Sequence, residues 1–502
     1  MRATAANPAS RRSPVLRILA LAFLAVMVHG YHLGTDDAGI FVPAIKRAAD
    51  PGLYPFGGEF FLSHAHMSLF PALVGGSARW THLPVNLVIF LWHAGGIFLL
   101  LLACWRLAGA CFESDRARWG AVALVAGALS VPVAGTALVI MDPYLTARSL
   151  STPATMFAIA AYVSGRPRHA AAWLLFTALI HPQMALYGAV FIACMALYLR
   201  LSSAAGTAPA LALLPFAWDF QPARGAAREA LISRTYFFVS NWAWYEWVGV
   251  FAPLALLWWL SGAAPRNTTP AFRRLARTLV PFGLLFTAAG AALAASPRLE
   301  NFNRLQPMRA FHLLYVILFV LVGGLVAEYV LRAYPWRWAA LFFPLAASMW
   351  LLQRADFPVS AHVEWPGRTD RNPWVAAFVW VRDHTPKDAV FALDPNYMAQ
   401  AGEDQHGFRA IAERSALADN VKDSGAVSLF PQLADDWKSQ VQAQSGWEHF
   451  RRADFEQLAR SYPVTWILTR RPGPAGMACP YQNADLTVCR VDRPDSSSLR
   501  RP

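Results

Sequence analysis

Two adjacent carboxylates, Asp36 and Asp37, follow the first apolar run of the chain in the stretch Gly34-Thr-Asp-Asp-Ala-Gly. An acidic pair beside hydrocarbon is costly to hold and marks a functional position. One carboxylate can take a proton from an incoming hydroxyl or amine, which is general-base work. Alternatively the pair holds a divalent cation that neutralises a phosphate leaving group. The competing reading is a solvated helix cap, since Asp caps helix N-termini readily. The same loop continues to His64-Ala-His66, two imidazoles that can share a metal with a carboxylate, although such pairs are commonly interfacial polar residues. A second loop carries Met141-Asp142-Pro-Tyr-Leu-Thr-Ala-Arg148, and a third carries Ser296-Pro-Arg298 and Asn303-Arg304-Leu-Gln-Pro-Met-Arg309. Arginine grips phosphate at two points, so Arg148, Arg304 and Arg309 are candidate phosphate ligands. Each arginine taken singly reads as a snorkelling side chain at an interface.

The composition says what must position these residues. Of 502 residues, 56% are hydrophobic and only 15% charged, against about 25% charged in a soluble domain. Residues 361–502 hold 17 Lys/Arg and 18 Asp/Glu, leaving 27 basic and 13 acidic residues for positions 1–360. The basic excess therefore belongs to the apolar part. Its charges punctuate apolar runs rather than lining one soluble face, which argues against nucleic acid and for anionic lipid.

A spanning helix needs about 20 apolar residues. Runs of that kind cover 15–30, 84–105, 119–141, 247–265, 278–297, 310–327 and 338–353. Residues 169–199 are uncharged but interrupted by His181-Pro182, and read as two short helices meeting near one membrane face. The arginine clusters before residue 18 and at 166–168, 266–277 and 332–337 belong on the cytoplasmic side. That sidedness requires 204–218 to cross as well. The expected architecture is a polytopic α-helical membrane protein of about eleven spans, N-terminus inside and tail outside. Its parts are a cytoplasmic segment 1–14, a membrane domain 15–357 with a large first external loop 31–82, and an extracytoplasmic α/β domain 358–502. No small-x-small cleavage site follows Gly30, so the first helix is expected to stay.

In the tail, 390–393, 464–469 and 486–491 read as strands, and 372–384 and 447–461 as helices. Cys479 and Cys489 lie there on either side of a turn-rich segment. An oxidising outer compartment would permit them to pair. Cys104, Cys111 and Cys194 lie in or beside helices, as packing residues do. The chain contains no Walker-type glycine loop, no His-Glu-x-x-His helix and no Gly-x-Ser-x-Gly elbow.

A first external loop opening on acidic residues, short irregular helices behind it and an external α/β tail together resemble the GT-C superfamily of integral membrane glycosyltransferases. That group includes the protein mannosyltransferases and the aminoarabinose transferase of lipid A. The resemblance covers the layout of most of the chain, and its one motif is Asp36-Asp37. It implies a first-loop acid as base or metal ligand at Asp36 or Asp37, and a second-loop acid at Asp142. It also implies a sugar donor on a polyprenyl phosphate, with Arg304 and Arg309 as candidates for that phosphate. The metal set, if an ion binds, would draw on Asp36, Asp37, Asp142, His64 and His66. The stretch beginning Trp380-Val-Arg-Asp-His also looks like tails of uncharacterised bacterial membrane proteins. The expected function is therefore a glycosyltransferase at the outer face of a bacterial inner membrane, with an acceptor that side chains do not identify. A transporter or flippase of a lipid-linked or amphipathic solute, and a non-catalytic scaffold, are the competing readings.

Overall fold

The structure is a computed structural model and describes residues 14–129, 131–202, 222–263, 265–368 and 371–491. The helices run α1 (Pro14–His29), α2 (Ala38–Ala49), α3 (Glu59–Ala65), α4 (Phe70–Thr81), α5 (Val85–Cys111), α6 (Asp115–Gly127) and α7 (Arg148–Val163). They continue with α8 (Pro167–Ile180), α9 (Pro182–Ser202), α10 (Gly225–Ile232), α11 (Trp244–Ala263), α12 (Pro270–Ala294), α13 (Ala310–Leu325) and α14 (Pro335–Asp356). Five segments are long and apolar enough to cross a membrane: Val85–Cys111, Pro182–Leu199, Trp244–Ala263, Pro270–Ala294 and Pro297–Leu331. At 16 residues, α1 is apolar but shorter. Their buried faces share one apolar core that includes Leu101, Phe282, Phe311 and Leu314.

Two expectations about spans change. The run 119–141 is not one helix, because α6 stops at Gly127 and the chain is irregular as far as Arg148. Pro132 cannot donate to a helix, and Ala134 and Ala137 take left-handed φ of 47° and 57°, which no helix interior tolerates. Conversely α7 is a helix that no uninterrupted apolar run announces. Its first half carries Arg148, Ser149, Ser151 and Thr152, yet most of it is buried. The break at His181-Pro182 is as read: His181 is extended and Pro182 opens α9. The expected crossing at 204–218 lies outside the described residues.

The tail holds α15 (Pro373–His384), α16 (Phe408–Ala412), α17 (Asp423–Leu429), α18 (Ala434–Ala443) and α19 (Arg452–Ser461). These surround a five-stranded sheet of β1 (Val390–Ala392), β2 (Ser415–Ala416), β3 (Trp466–Arg470), β4 (Tyr481–Gln482) and β5 (Leu486–Arg490), in the order β2-β1-β3-β5-β4. The β1 pairings are parallel and the β5 pairings antiparallel. Asn372 caps α15 through its side chain, accepting from the amides of Trp374 and Val375. Cys479 and Cys489 are disulfide-bonded.

The tail does not stand apart from the membrane region. Phe41, Val42 and Ile45 of α2 share one apolar core with Tyr144 and Leu145, with Trp374 and Phe378 of α15, and with Phe408 and Ile411 of α16. The division at 357/358 thus runs through a common core. At the seam Gly34, at φ 77°, accepts a hydrogen bond from the Gly407 amide at 2.9 Å. A Cβ on Gly34 would stand 2.6 Å from that of Ala410, so only glycine lets α16 approach this closely.

Candidate functional site

Everything converges where the loop of α2 meets the entry to α7. Asp37 occupies the N-cap position of α2 but makes no side-chain cap bond. Its carboxylate instead accepts from Arg148 Nη1 at 2.9 Å. Arg148 is the first residue of α7 and is 6% exposed. Its other face donates through Nε and Nη2 to Asp142 Oδ2 at 3.3 and 3.1 Å. One guanidinium therefore holds both carboxylates, taking the bridging place a divalent cation would otherwise fill.

Asp36 is held differently. Its φ of 47° is left-handed, fixed by its amide donating to the Gln405 carbonyl at 3.1 Å. Its carboxylate accepts from the Tyr144 hydroxyl at 2.8 Å and from the Lys422 ammonium. Lys422 precedes α17, so the tail supplies a cation directly to the acidic pair. Arg234 lies beside it and donates to Val421 O and Ser424 Oγ. The Asp36 side chain remains 39% exposed, against 8% for Asp142.

These environments push the carboxyls apart. Burial alone would raise Asp37, but Arg148, Lys422 and Arg309 hold it below the usual carboxylate range. Burial pushes Asp142 up to about 6, with Arg148 offsetting that only in part and Asp37 adding to it. Asp142 Oδ1 has no hydrogen-bond partner. It borders a cavity of about 30 Å³ between α5 and α7, with His93, Ser149, Thr152 and His312 among the lining residues. That size suits a water molecule or two.

Arg309, at the threshold of α13, faces the same cluster. It is close enough to act electrostatically on Asp37, His64, His181 and His312, and it lies over the Tyr236 ring at 5.9 Å. Its Nε is buried without a partner. Arg304 is placed otherwise, since its guanidinium donates to Asn301 O and Oδ1 at 2.7 and 2.8 Å within its own turn.

The histidine pair separates. His64 packs edge-on against Phe41 and lies near Asp37 and Arg309, whereas His66 is exposed at the end of α3. The expected metal set of Asp36, Asp37, Asp142, His64 and His66 is not gathered at one point among the described residues, for Arg148 and Lys422 already take the carboxylates and His66 is exposed. Among the described residues, His32, Glu364 and His406 alone bring three such ligand atoms within 4.8 Å of one another. Sequence reasoning did not single out Tyr144, Lys422, Arg234 or this second cluster. Tyr144 lies two residues from Asp142, which is a weak signal. Lys422 lies 386 positions from its partner and offers none.

Residues 372–443 are similar to a family described as a domain of unknown function (DUF6798). That segment runs from the α15 cap through α18 and includes Lys422 and His406. No curated protein matches the chain.

Proposed function

We propose that this chain is a membrane glycosyltransferase that moves a sugar from a polyprenyl-phosphate donor to an acceptor at the outer face of a bacterial inner membrane. The supporting observation is the charge arrangement at the mouth of the helices. Three carboxylates, Asp36, Asp37 and Asp142, are matched by Arg148 and Lys422, while Arg309 adds a guanidinium whose buried Nε has no partner. A half-buried guanidinium with an unpartnered Nε beside apolar helices suits an anion that arrives on a lipid. In this reading about eleven helices span the bilayer and the tail lies outside.

In this reading each charged group of the cluster has a role. Asp37 is committed to Arg148 and orients it. Asp36, the more exposed carboxylate, accepts the proton as the acceptor oxygen or nitrogen bonds to the sugar and the sugar–phosphate bond breaks. Tyr144 and Lys422 hold Asp36 in place. Arg309 takes the departing phosphate, with Arg148 lending charge, and Arg304 has no part in it. Asp36→Asn should lower transfer by about 10²–10⁴-fold without loss of folding. Arg309→Ala should weaken binding of polyprenyl phosphate to the detergent-purified protein by roughly 10–100-fold, while Arg304→Ala leaves it unchanged. A well-folded wild type that binds no polyprenyl phosphate would sink this reading and favour a carrier built on the broken α8–α9 pair.

A further inference from the structure

A second polar cluster lies on the other side of Asp36, and it gathers three distant segments. His32 comes from the turn after α1, Glu364 from the connection after α14, and His406 from the tail just before α16. Both histidines are fully buried. His32 Nδ1 and His406 Nε2 approach the same carboxylate oxygen, Glu364 Oε1, at 2.9 and 2.8 Å. The other oxygen, Oε2, accepts from the Leu33 amide at 2.8 Å.

The surroundings resemble the supporting shell of a metal centre. His406 Nδ1 stands 2.8 Å from the Glu403 carbonyl. A carbonyl only accepts, so Nδ1 carries a proton and a neutral ring turns its Nε2 lone pair toward Glu364. Two acceptors at that distance repel, and a positive charge must lie between them as a second proton or a metal ion. A histidine ligand characteristically donates its remaining N–H to a carbonyl, as His406 does. His32 is fixed too, its ring stacked on Phe357 at 3.8 Å between centroids.

The charge balance favours more than one positive charge. Glu403 is fully buried with its carboxyl against the backbone amides of Gln405 and His406, and Asp404 accepts from Val359 N and from Ser360 N and Oγ. Among the described residues no Lys or Arg donates a hydrogen bond to Glu364, Glu403 or Asp404. Three carboxyl groups thus lie in one corner with imidazole as the nearby base. Burial on these terms is costly unless protons or a cation remove the charge. We propose that His32 Nδ1, Glu364 and His406 Nε2 bind a divalent ion of the zinc class. Two imidazoles and a carboxylate form a donor set that such ions take.

The consequence is mechanical. Thr35 pairs with His406 in an antiparallel bridge, and the Asp36 amide donates to Gln405. An ion at this point fastens the tail to the loop at His32, four residues before Asp36, and the Thr35–His406 bridge carries that constraint to the left-handed backbone of Asp36. The site stands independently of the glycosyltransferase reading, because its test reads metal and not transfer.

Full-length, tag-free protein in detergent is stripped with EDTA and titrated with Zn(II), then with Co(II) followed by its visible absorption. The expected result is uptake of close to one ion per chain, a rise in the melting temperature, and a cobalt spectrum of low coordination number. Glu364→Gln and His406→Gln should weaken binding by at least about tenfold, and His66→Ala, on an exposed histidine, should leave it intact. The stripped wild type needs no substitution, so a misfolded variant does not blur the result. Failure of that wild type to bind either ion overturns the proposal, and so does loss of binding only in His66→Ala. The cluster is then an imidazolium–carboxylate pair held by a proton.

Discussion

Arg148 is the residue on which the candidate site turns. It is buried between Asp37 and Asp142, and removing one partner of a buried ion pair costs about 3–5 kcal/mol, mostly from the charge left behind. Arg148→Ala should therefore destabilise the protein by that amount at pH 7, read from denaturation in detergent. At pH 5 the penalty should shrink, because Asp142 takes a proton and Asp37 is the one carboxylate left without its guanidinium. In the native chain Asp142 already titrates near 6, above its ordinary value near 3.8. A raised carboxyl pKa means the folded state holds its proton longer than the unfolded one. Its contribution to stability is thus fully present below about pH 4 and lost as pH rises to about 6, roughly 3 kcal/mol in all. Asp142→Asn should flatten the stability profile across that window, and an unchanged slope would show that Asp142 is ionised throughout. Residue types and shared sidedness made Asp36, Asp37, Asp142, Arg148 and Arg309 legible before any coordinates. The same reasoning does not reveal that Arg304 donates to Asn301 of its own turn, because an arginine's sequence position says nothing of such a local partner.

At the scale of elements, uninterrupted apolar runs found most of the long helices, although α5 ends six residues beyond its run and α12 begins eight before its own, and the strands at 390, 464 and 486 were placed to within a residue or two. It failed where local chemistry overrides hydropathy. The run 119–141 is apolar throughout yet stops being helical after Gly127, and α7 is buried although its first turns are polar. Short elements such as α16 and α17 escape detection because five or seven residues make fewer than two helical turns. Yet those are the elements that carry the tail to the site. The contact depends on Gly34, whose left-handed φ costs any other residue about 1–2 kcal/mol before the clash with Ala410 is counted. Gly34→Ala should loosen α16 from α2 and expose the connection after α14 to protease, while the helical signal of the membrane region persists. Equal protease resistance in the two proteins would mean that the seam is not set by this glycine.

For the whole molecule the question is which side of the bilayer holds the loop–tail body. Arginines cluster at 266–277 and 332–337, while the acidic pair, Arg309 and the tail gather at the opposite ends of the connecting helices. On the proposed topology, the bias of basic residues toward the cytoplasm would put the tail outside. The Cys479–Cys489 bond is in keeping with that side, since such a bond persists in an oxidising compartment and is rare in a reducing one. The two readings make one joint prediction. In intact cells a membrane-impermeant maleimide should label a single cysteine placed at exposed Glu448 of the tail and should miss one placed at exposed Arg273, which reacts only after permeabilisation. Replacing Cys479 and Cys489 by serine should cost the tail about 2–3 kcal/mol, the value for closing a short loop. If the Arg273 site is labelled first, the tail is cytoplasmic. The acidic pair would then face the reducing side, where a lipid-linked donor would have to be used before it is flipped outward.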